Sequence, residues 1–317
     1  MQLNLPILDR LSACKNLLIA GMGGGFDIFC GLPIYFELRR RGLLAHLASF
    51  SFSDIATLKD GMRLTNTLVG VTFETQAEGV CFPELYLAQW FHEKFWEDVP
   101  IWCFHKTGVR PLIENYRVLI KHLSIDGILL IDGGVDSLIR GDEAEMGTII
   151  EDSISLCAVN ELIDIPLRLV GCLGFGAEQD VSYAHVLENI SALVKSEGFL
   201  GSCSLLRQMP AYQDYESAVM YVQSKPYQET SVVNSSVISA VRGHYGDYNL
   251  TEKTQGSRLW ISPLMSIYWF FEMSAITERH LFLNEIRATD MFSEVMRAMF
   301  LVIGSRPKRP PAKIWLS

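Results

Sequence analysis

The stretch "NLLIAGMGGGFDIFCGLPIYFELRRRG" (16–42) sets the pattern from which the fold can be predicted. A short apolar run leads into a glycine-rich loop, and residues with helical spacing follow. Because proline suits the first turn of a helix and glycine suits its end, the helix is predicted to begin only near Pro33 and to stop at Gly42. This order of strand, loop and helix is typical of a parallel sheet covered by helices.

The same alternation continues through the first 200 residues. The later predicted strands are "LLAHLASF" (43–50), "PIWCFHK" (100–106), "DGILLID" (126–132) and "PLRLVGCLGFG" (166–176). The later predicted helices are "PELYLAQWFHEKFW" (83–96), "VRPLIENYRVLIKHL" (109–123), "IEDSISLCAVNEL" (150–162) and "SYAHVLENISALVKSEG" (182–198). Thr148 and Glu151 form a T-x-x-E capping box that predicts the start of the third of these helices.

The final third of the chain differs from this alternation. Segments such as "MPAYQDYESAVMYVQSK" (209–225) and "TDMFSEVMRAMFLVIG" (289–304) have helical spacing. We therefore predict an α/β fold, a Rossmann-like, mostly parallel sheet flanked by helices, with a mainly helical C-terminal third. The predicted division is an α/β core at 1–205 and a C-terminal portion at 206–317, which can pack as part of the same domain.

The composition narrows the class of protein. With 49% apolar residues in 317, the chain should form an ordered globule. A net charge of −9 argues against general nucleic-acid binding, and the basic tail "SRPKRPPAK" (305–313) is expected to be extended and solvated. Seven scattered cysteines without a C-x-x-C pair indicate reduced thiols. No apolar stretch reaches the roughly 18 residues of a membrane span, and the N-terminal segment lacks a secretory pattern, so we expect a cytoplasmic protein.

Three of the predicted strands end in loops that combine glycine with carboxylates. These loops are "GMGGGFD" (21–27), "DGGVDSLIRGDE" (132–143) and "GFGAEQD" (174–180). In open parallel sheets, ligands lie beyond the carboxyl ends of the strands, where such loops converge. We therefore expect the three loops to meet and to form one binding site.

The first loop is predicted to bind an anion such as a phosphate through the backbone N–H groups of Gly23, Gly24 and Gly25, with Asp27 beside them. The loop argues against an NAD site, since Phe26 stands where the G-x-G-x-x-G pattern needs its third glycine. The acid expected about 20 residues further on is missing as well. A tight turn whose glycines serve close packing is the alternative interpretation.

The second loop carries most of the predicted site. Its carboxylates are candidate ligands for magnesium or manganese, which take oxygen ligands, and two of them are candidate catalytic groups. Carboxylates can also bind sugar hydroxyls without a metal, and ordinary turn chemistry is the remaining alternative. The predicted metal ligands are Asp132, Asp136, Asp142 and Glu143, the first two also being the catalytic candidates, and the further ligand-binding residues are Gly133, Gly134, Arg140 and, from the third loop, Glu178.

Several separated motifs give the chain a family resemblance. They are "IAGMGGGFDIFCGLPIYFEL" (19–38), "LLIDGGVDSLIRGDEAEMGTIIEDSISL" (129–156), "NSSVISAVRGHYGDY" (234–248), "LWISPLM" (259–265) and "YWFF" (268–271). Together they resemble the uncharacterised proteins grouped as domain of unknown function 1152. The resemblance implies that these loops belong to one characteristic domain, and it names no catalytic residue.

The leading functional hypothesis is a protein that binds a phosphorylated or nucleotide-like small molecule at the glycine-rich and acidic loops. It would act as a hydrolase or transferase assisted by Mg²⁺ or Mn²⁺. The alternative is a non-catalytic nucleotide or metabolite sensor, or a regulatory protein. The aromatic-rich C-terminal third could then form a homo-oligomer interface or a lid. The sequence leaves the choice between these classes open.

Overall fold

The computed structural model describes residues 6–77, 79–312 and 314. The start of the N-terminal segment (1–5) and Lys313 of the basic tail lie outside these described residues. The strands are β1 (Asn16–Gly21), β2 (Leu44–Phe50), β3 (Met62–Thr65), β4 (Leu68–Val71), β5 (Ile101–Phe104), β6 (Gly127–Asp132), β7 (Leu167–Leu173), β8 (Phe199–Ser204) and β9 (Ile267–Glu272). The helices are α1 (Pro6–Ser12), α2 (Asp27–Arg40), α3 (Pro83–Phe95), α4 (Val109–Leu123), α5 (Ile149–Asn160), α6 (Tyr183–Lys195), α7 (Pro210–Gln223), α8 (Val232–Val241), α9 (Met273–Thr277), α10 (Leu283–Ile286) and α11 (Phe292–Ser305).

The nine strands form one mixed sheet in the order β3-β4-β5-β2-β1-β6-β7-β9-β8. The five central strands, from β5 to β7, are parallel. The two strands at each edge run antiparallel to their neighbours. The prediction of a mostly parallel, helix-flanked sheet with a mainly helical C-terminal third is therefore confirmed. That C-terminal third also supplies β9 to the sheet.

The core consists of two apolar layers, one on each face of the sheet. Side chains of β1 alternate between them: Leu17 and Ile19 face one layer, and Leu18 and Ala20 face the other. Helices α1–α3, α7 and α8 cover the first face, whereas α4–α6 and α9–α11 cover the second. Because both faces are covered, the central strands are apolar on both sides.

Helix α2 begins earlier than its sequence predicted. It starts at Asp27 and contains Pro33 in its interior. A proline there removes the hydrogen bond to the carbonyl four residues earlier. Next to that carbonyl, the Tyr268 hydroxyl donates to the carbonyl of Cys30, and residues 28–33 of the helix are buried. Tertiary packing therefore supports a helix that the proline alone would have shortened.

Two other local predictions were wrong. "YWFF", placed in a helical region, forms most of β9, because it pairs with β7 on one side and β8 on the other. The capping box does not form: the Thr148 side chain donates to Asp136, and Glu151 pairs with Lys106. Within the described residues, we found no helix that is long and apolar enough to cross a membrane.

Candidate metal centre

The candidate site lies where the chain switches direction in the sheet. From β1 the chain passes through α2 to β2 on one side, whereas β6 flanks β1 on the other side. The loops after β1 and β6 therefore diverge and leave a crevice at the carboxyl ends of the strands. The N–H of Met22 donates to the carbonyl of Ile131 at 2.9 Å, which fixes the two loops beside each other.

Three carboxylates converge in this crevice. One oxygen from each of Asp27, Asp132 and Asp152 lies within 4.8 Å of the others. Asp27 opens α2, Asp132 ends β6, and Asp152 lies in the first turn of α5. Asp132 and Asp152 are each only 2% exposed, while Asp27 is partly exposed.

Glycines allow the carboxylates to approach the loops this closely. A Cβ at Gly23 would lie 2.6 Å from both Asp152 Oδ1 and Asp27 Oδ2. A Cβ at Gly133 would lie 2.6 Å from Asp27 Oδ1, and one at Gly134 would collide with the Glu178 carboxylate. Real Cβ contacts are longer than this, so side chains at these positions would displace the carboxylates. The loop glycines thus make room for these carboxylates.

Hydrogen bonds fix the second and third loops around the group. Asp132 Oδ2 accepts from the Ser137 N–H at 3.1 Å and from the Ser137 hydroxyl. Asp136 Oδ2 accepts from the N–H and hydroxyl of Thr148, at 2.7 and 3.1 Å. Glu178 Oε2 accepts from the Val135 N–H at 2.9 Å. The three predicted loops and α5 therefore hold five carboxylates near one another. We call these five side chains the acidic group: Asp27, Asp132, Asp136, Asp152 and Glu178.

The group opposes its own ionisation. Removal from water raises the pKa of Asp27 to about 7, with the charge of Asp136 adding to the effect. Burial, and then the charges of Asp136 and Asp27, raise the pKa of Asp132 well above its usual range. Burial and the charges of Asp136 and Asp132 do the same to the pKa values of Asp152 and Glu178. Bound protons or a bound cation would relieve this repulsion.

One oxygen of the group has no partner, and none of its carboxylates forms an ion pair with a described basic side chain. Asp152 Oδ1 is buried and has no hydrogen-bond partner among the described residues. Between residues 6 and 312, leaving aside position 78, no basic side chain forms an ion pair with any of the five carboxylates. Divalent cations such as Mg²⁺ and Mn²⁺ take oxygen ligands from small groups of carboxylates. Asp27, Asp132 and Asp152 fit such an ion.

Not every backbone N–H group of the glycine loop is available to bind an anion. The Gly23 N–H donates to Asp27 Oδ2 at 2.7 Å, so a carboxylate of the same loop already occupies that donor. Gly24, whose φ of +126° favours glycine, lies against the ring of Phe52. Gly25 has ordinary contacts, the nearest being Pro83 Cγ at 3.5 Å from its ideal Cβ position. Phosphate binding by these glycines remains a prediction.

The structure does not bring Asp142 and Glu143 to the acidic group. Asp142 Oδ1 accepts from Arg309 Nε at 2.9 Å, and the Arg309 guanidinium also contacts Glu143. Burial would raise the pKa of Glu143, but hydrogen bonds from the Arg140 N–H and from Asn189 keep it below the usual range. Arg140 Nη1 lies 3.8 Å from Asp142 Oδ2. The basic tail is therefore anchored at Arg309 instead of being wholly solvated.

This anchor makes Arg309→Ala a test of the tail contact. We expect a loss of about 2 kcal/mol in the free energy of unfolding, because Glu143 is fully buried and would lose its ionic partner. Urea denaturation measures the change, and Lys308→Ala, an exposed neighbour in the same tail, is the control. Equal stability of the two variants would show that the contacts of Arg309 do not stabilise the folded protein.

Asp152 is the site residue that sequence reasoning missed. Its place in the first turn of a helix has a local explanation, because acids there are favoured by the helix dipole. Its place in the site also depends on a tertiary contact. The Ser155 hydroxyl donates to the Met22 carbonyl at 2.8 Å and ties α5, which carries Asp152, to the first loop. An acid at the start of the helix that follows an acidic loop was the available clue.

Fold and site together define an α/β protein with a buried carboxylate centre at the switch point of its sheet. Residues 75–303 match the family described as "Protein of unknown function (DUF1152)", which is more than half of the chain. The chain therefore belongs to this family, as its motifs suggested. The matched range includes the second and third loops and begins after the glycine loop. Neither the curated proteins nor the solved structures gave a match.

Proposed function

We propose that this protein binds a divalent cation, Mg²⁺ or Mn²⁺, through Asp27, Asp132 and Asp152, and uses it to act on a phosphorylated or nucleotide-like small molecule. The observation that carries the proposal is the convergence of three carboxylates, one with an unpartnered buried oxygen. Hydrolysis or group transfer is the reaction class that such a centre serves best. A cation bound there would stabilise the negative charge that develops on a phosphate oxygen.

The protein's own groups have separate roles in this proposal. Asp136 lies close enough to raise the pKa values of Asp132 and Asp152, yet it is outside the three-carboxylate group. Two hydrogen bonds from Thr148 fix its carboxylate. It is therefore our candidate for accepting a proton from water or from a substrate hydroxyl. Asp132 orients the centre through its contacts with Ser137.

The test combines binding with turnover. Protein freed of metal by EDTA is heated with phosphorylated compounds and their unphosphorylated counterparts, with and without Mn²⁺, and release of phosphate is followed in parallel. We expect stabilisation that needs both metal and phosphate, about 2.7 kcal/mol for a ligand at 100 times its dissociation constant. Asp132→Asn should lose this stabilisation, whereas Asp136→Asn should keep binding and lose turnover.

Two outcomes would revise the proposal. Metal-dependent binding without turnover for any bound ligand would replace the enzyme with the sensor alternative. If no metal and no phosphate compound stabilises the protein, the proposed site is wrong.

For the setting of this activity we propose the cytoplasm, because all seven cysteines are free thiols and five of them are buried.

A further inference from the structure

Two side chains lie at the rim of the acidic group and are not among the proposed cation ligands: Lys106 and Phe52. We propose that they bind a nucleoside 5′-phosphate, with Lys106 Nζ contacting the phosphate and the Phe52 ring stacking on the base. This inference rests on the proposed function of the acidic group and gives its ligand a chemical class.

Lys106 places a positive charge beside the carboxylates. It follows β5, two strands from β1 in the parallel part of the sheet. Its Nζ lies 2.7 Å from Glu151 Oε1, and Glu151 precedes Asp152 in the first turn of α5. The charge of Glu151 in turn acts on Asp27. The ammonium group therefore stands at the rim of the acidic group, where a phosphate that touches a bound cation could reach it.

The ammonium group can take a phosphate while it keeps its bond to Glu151, because it has three N–H donors. The Lys106 side chain is 34% exposed, so a ligand can reach it, whereas the Glu151 side chain is only 11% exposed and keeps its ionic partner. Charge-assisted hydrogen bonds from lysine to phosphate are stronger than neutral ones. The Gly23 N–H, by contrast, is already used by Asp27. Lys106 is therefore a better phosphate donor in this structure than the first amide of the glycine loop.

Phe52 supplies an aromatic surface next to this charge. The ring lies against Gly24 and 4.5 Å from Lys106 Nζ, measured to the ring centroid. Lys106 Nζ is also 4.0 Å from the centroid of Phe292, so packing holds this corner together. Even so, Phe52 is 58% exposed. An exposed aromatic ring can accept a nucleobase by stacking, and the neighbouring Lys106 ammonium group could then contact the phosphate of the same ligand.

The test compares Lys106→Gln with a matched lysine. Lys94 is equally exposed, pairs with Asp214 at 2.9 Å and lies over the rings of Trp90 and Phe95, but it belongs to α3 and plays no part in the site. Affinities for Mn²⁺ and, in its presence, for the four ribonucleoside 5′-monophosphates are measured by calorimetry. Lys106→Gln should weaken nucleotide binding at least tenfold without weakening Mn²⁺ binding, whereas Lys94→Gln should match the wild type.

A second pair of ligands isolates the base. Phe52→Leu should weaken binding of the nucleoside monophosphate about tenfold and leave ribose 5-phosphate unaffected, because only the former carries a base. Lys106→Arg, which keeps the charge, should retain near-wild-type nucleotide affinity and shows that the position tolerates substitution.

The failure of this inference differs from the failure of the proposed function. If the wild type binds Mn²⁺ and phosphate compounds while Lys106→Gln and Phe52→Leu bind nucleotides normally, the inference is overturned and the acidic site stands. The inference is also overturned if Mn²⁺ and ribose 5-phosphate bind but no nucleotide binds more tightly than ribose 5-phosphate. If Mn²⁺ does not bind to the wild type, the proposed function falls, and the inference falls with it.

Discussion

Asp152→Asn is expected to make the metal-free protein more stable at pH 8 and, at the same time, to abolish its stabilisation by Mn²⁺. Burial and the charges of Asp136 and Asp132 raise the pKa of Asp152 in the folded protein. A group with a raised folded-state pKa binds its proton more tightly in the folded than in the unfolded chain, so the wild type loses stability as the pH rises above about 3.9, the usual pKa of aspartate. Asparagine removes that loss.

At pH 8 the gain should appear as a higher urea midpoint for Asp152→Asn than for the wild type. It should vanish near pH 4, where aspartate in the unfolded chain begins to hold its own proton. Urea denaturation in EDTA at the two pH values measures it. Glu151→Gln is the control, since that neighbouring carboxylate is already paired with Lys106 and should give no gain.

The sign of the result decides between two descriptions of the group. Greater stability with weaker metal binding is typical of a site whose charges are retained for function. If Asp152→Asn destabilised the metal-free protein at pH 8, the carboxylates would have to stabilise one another through shared protons, and the case for a cation would lose its electrostatic basis.

Gly23→Ala is expected to lower Mn²⁺ affinity at least tenfold. The new Cβ would lie 2.6 Å from oxygens of both Asp152 and Asp27, two of the three proposed ligands. The carboxylates must then move apart or turn away, and overpacking of this kind costs about 1–3 kcal/mol. The backbone itself is no obstacle, because Gly23 does not have the left-handed conformation that excludes alanine.

Gly25→Ala is the matched control from the same loop. Its Cβ would meet only Pro83 Cγ at 3.5 Å, an ordinary contact, and the backbone N–H is retained. Mn²⁺ titration should therefore give wild-type affinity for Gly25→Ala and a weakened site for Gly23→Ala. Equal affinities in the two variants would show that Asp27 and Asp152 do not hold the ion between them.

The position of the candidate site could be predicted from sequence because most of its carboxylates lie at strand ends or in the loops that follow them. Asp27 follows β1 and Asp132 ends β6, and the carboxyl ends of parallel strands must lie at one edge of the sheet. Asp136 and Glu178 come from loops identified by the same reasoning, and hydrogen bonds hold each of them in the structure. Short-range patterns were sufficient for these residues.

The rest of the site depends on contacts between distant parts of the chain. Asp152 lies in the group because α5 packs on the sheet and because Ser155 ties that helix to the Met22 carbonyl, 133 residues away in the sequence. Asp142 and Glu143 are engaged by Arg309, which lies 166 residues beyond Glu143 in a tail whose composition indicates a solvated end. Spacing within a loop cannot show which of its carboxylates a distant arginine will neutralise.

Direct titration of Mn²⁺, followed by the loss of its free-ion signal in electron paramagnetic resonance, measures occupancy of the carboxylate centre itself. We expect the wild-type protein to bind one ion per chain and Mg²⁺ to compete for it. Asp132→Asn and Asp152→Asn should both lose the ion while still folding. Retention of the free-ion signal at all protein concentrations would contradict the proposed cation site, and so would equally tight binding by the two variants.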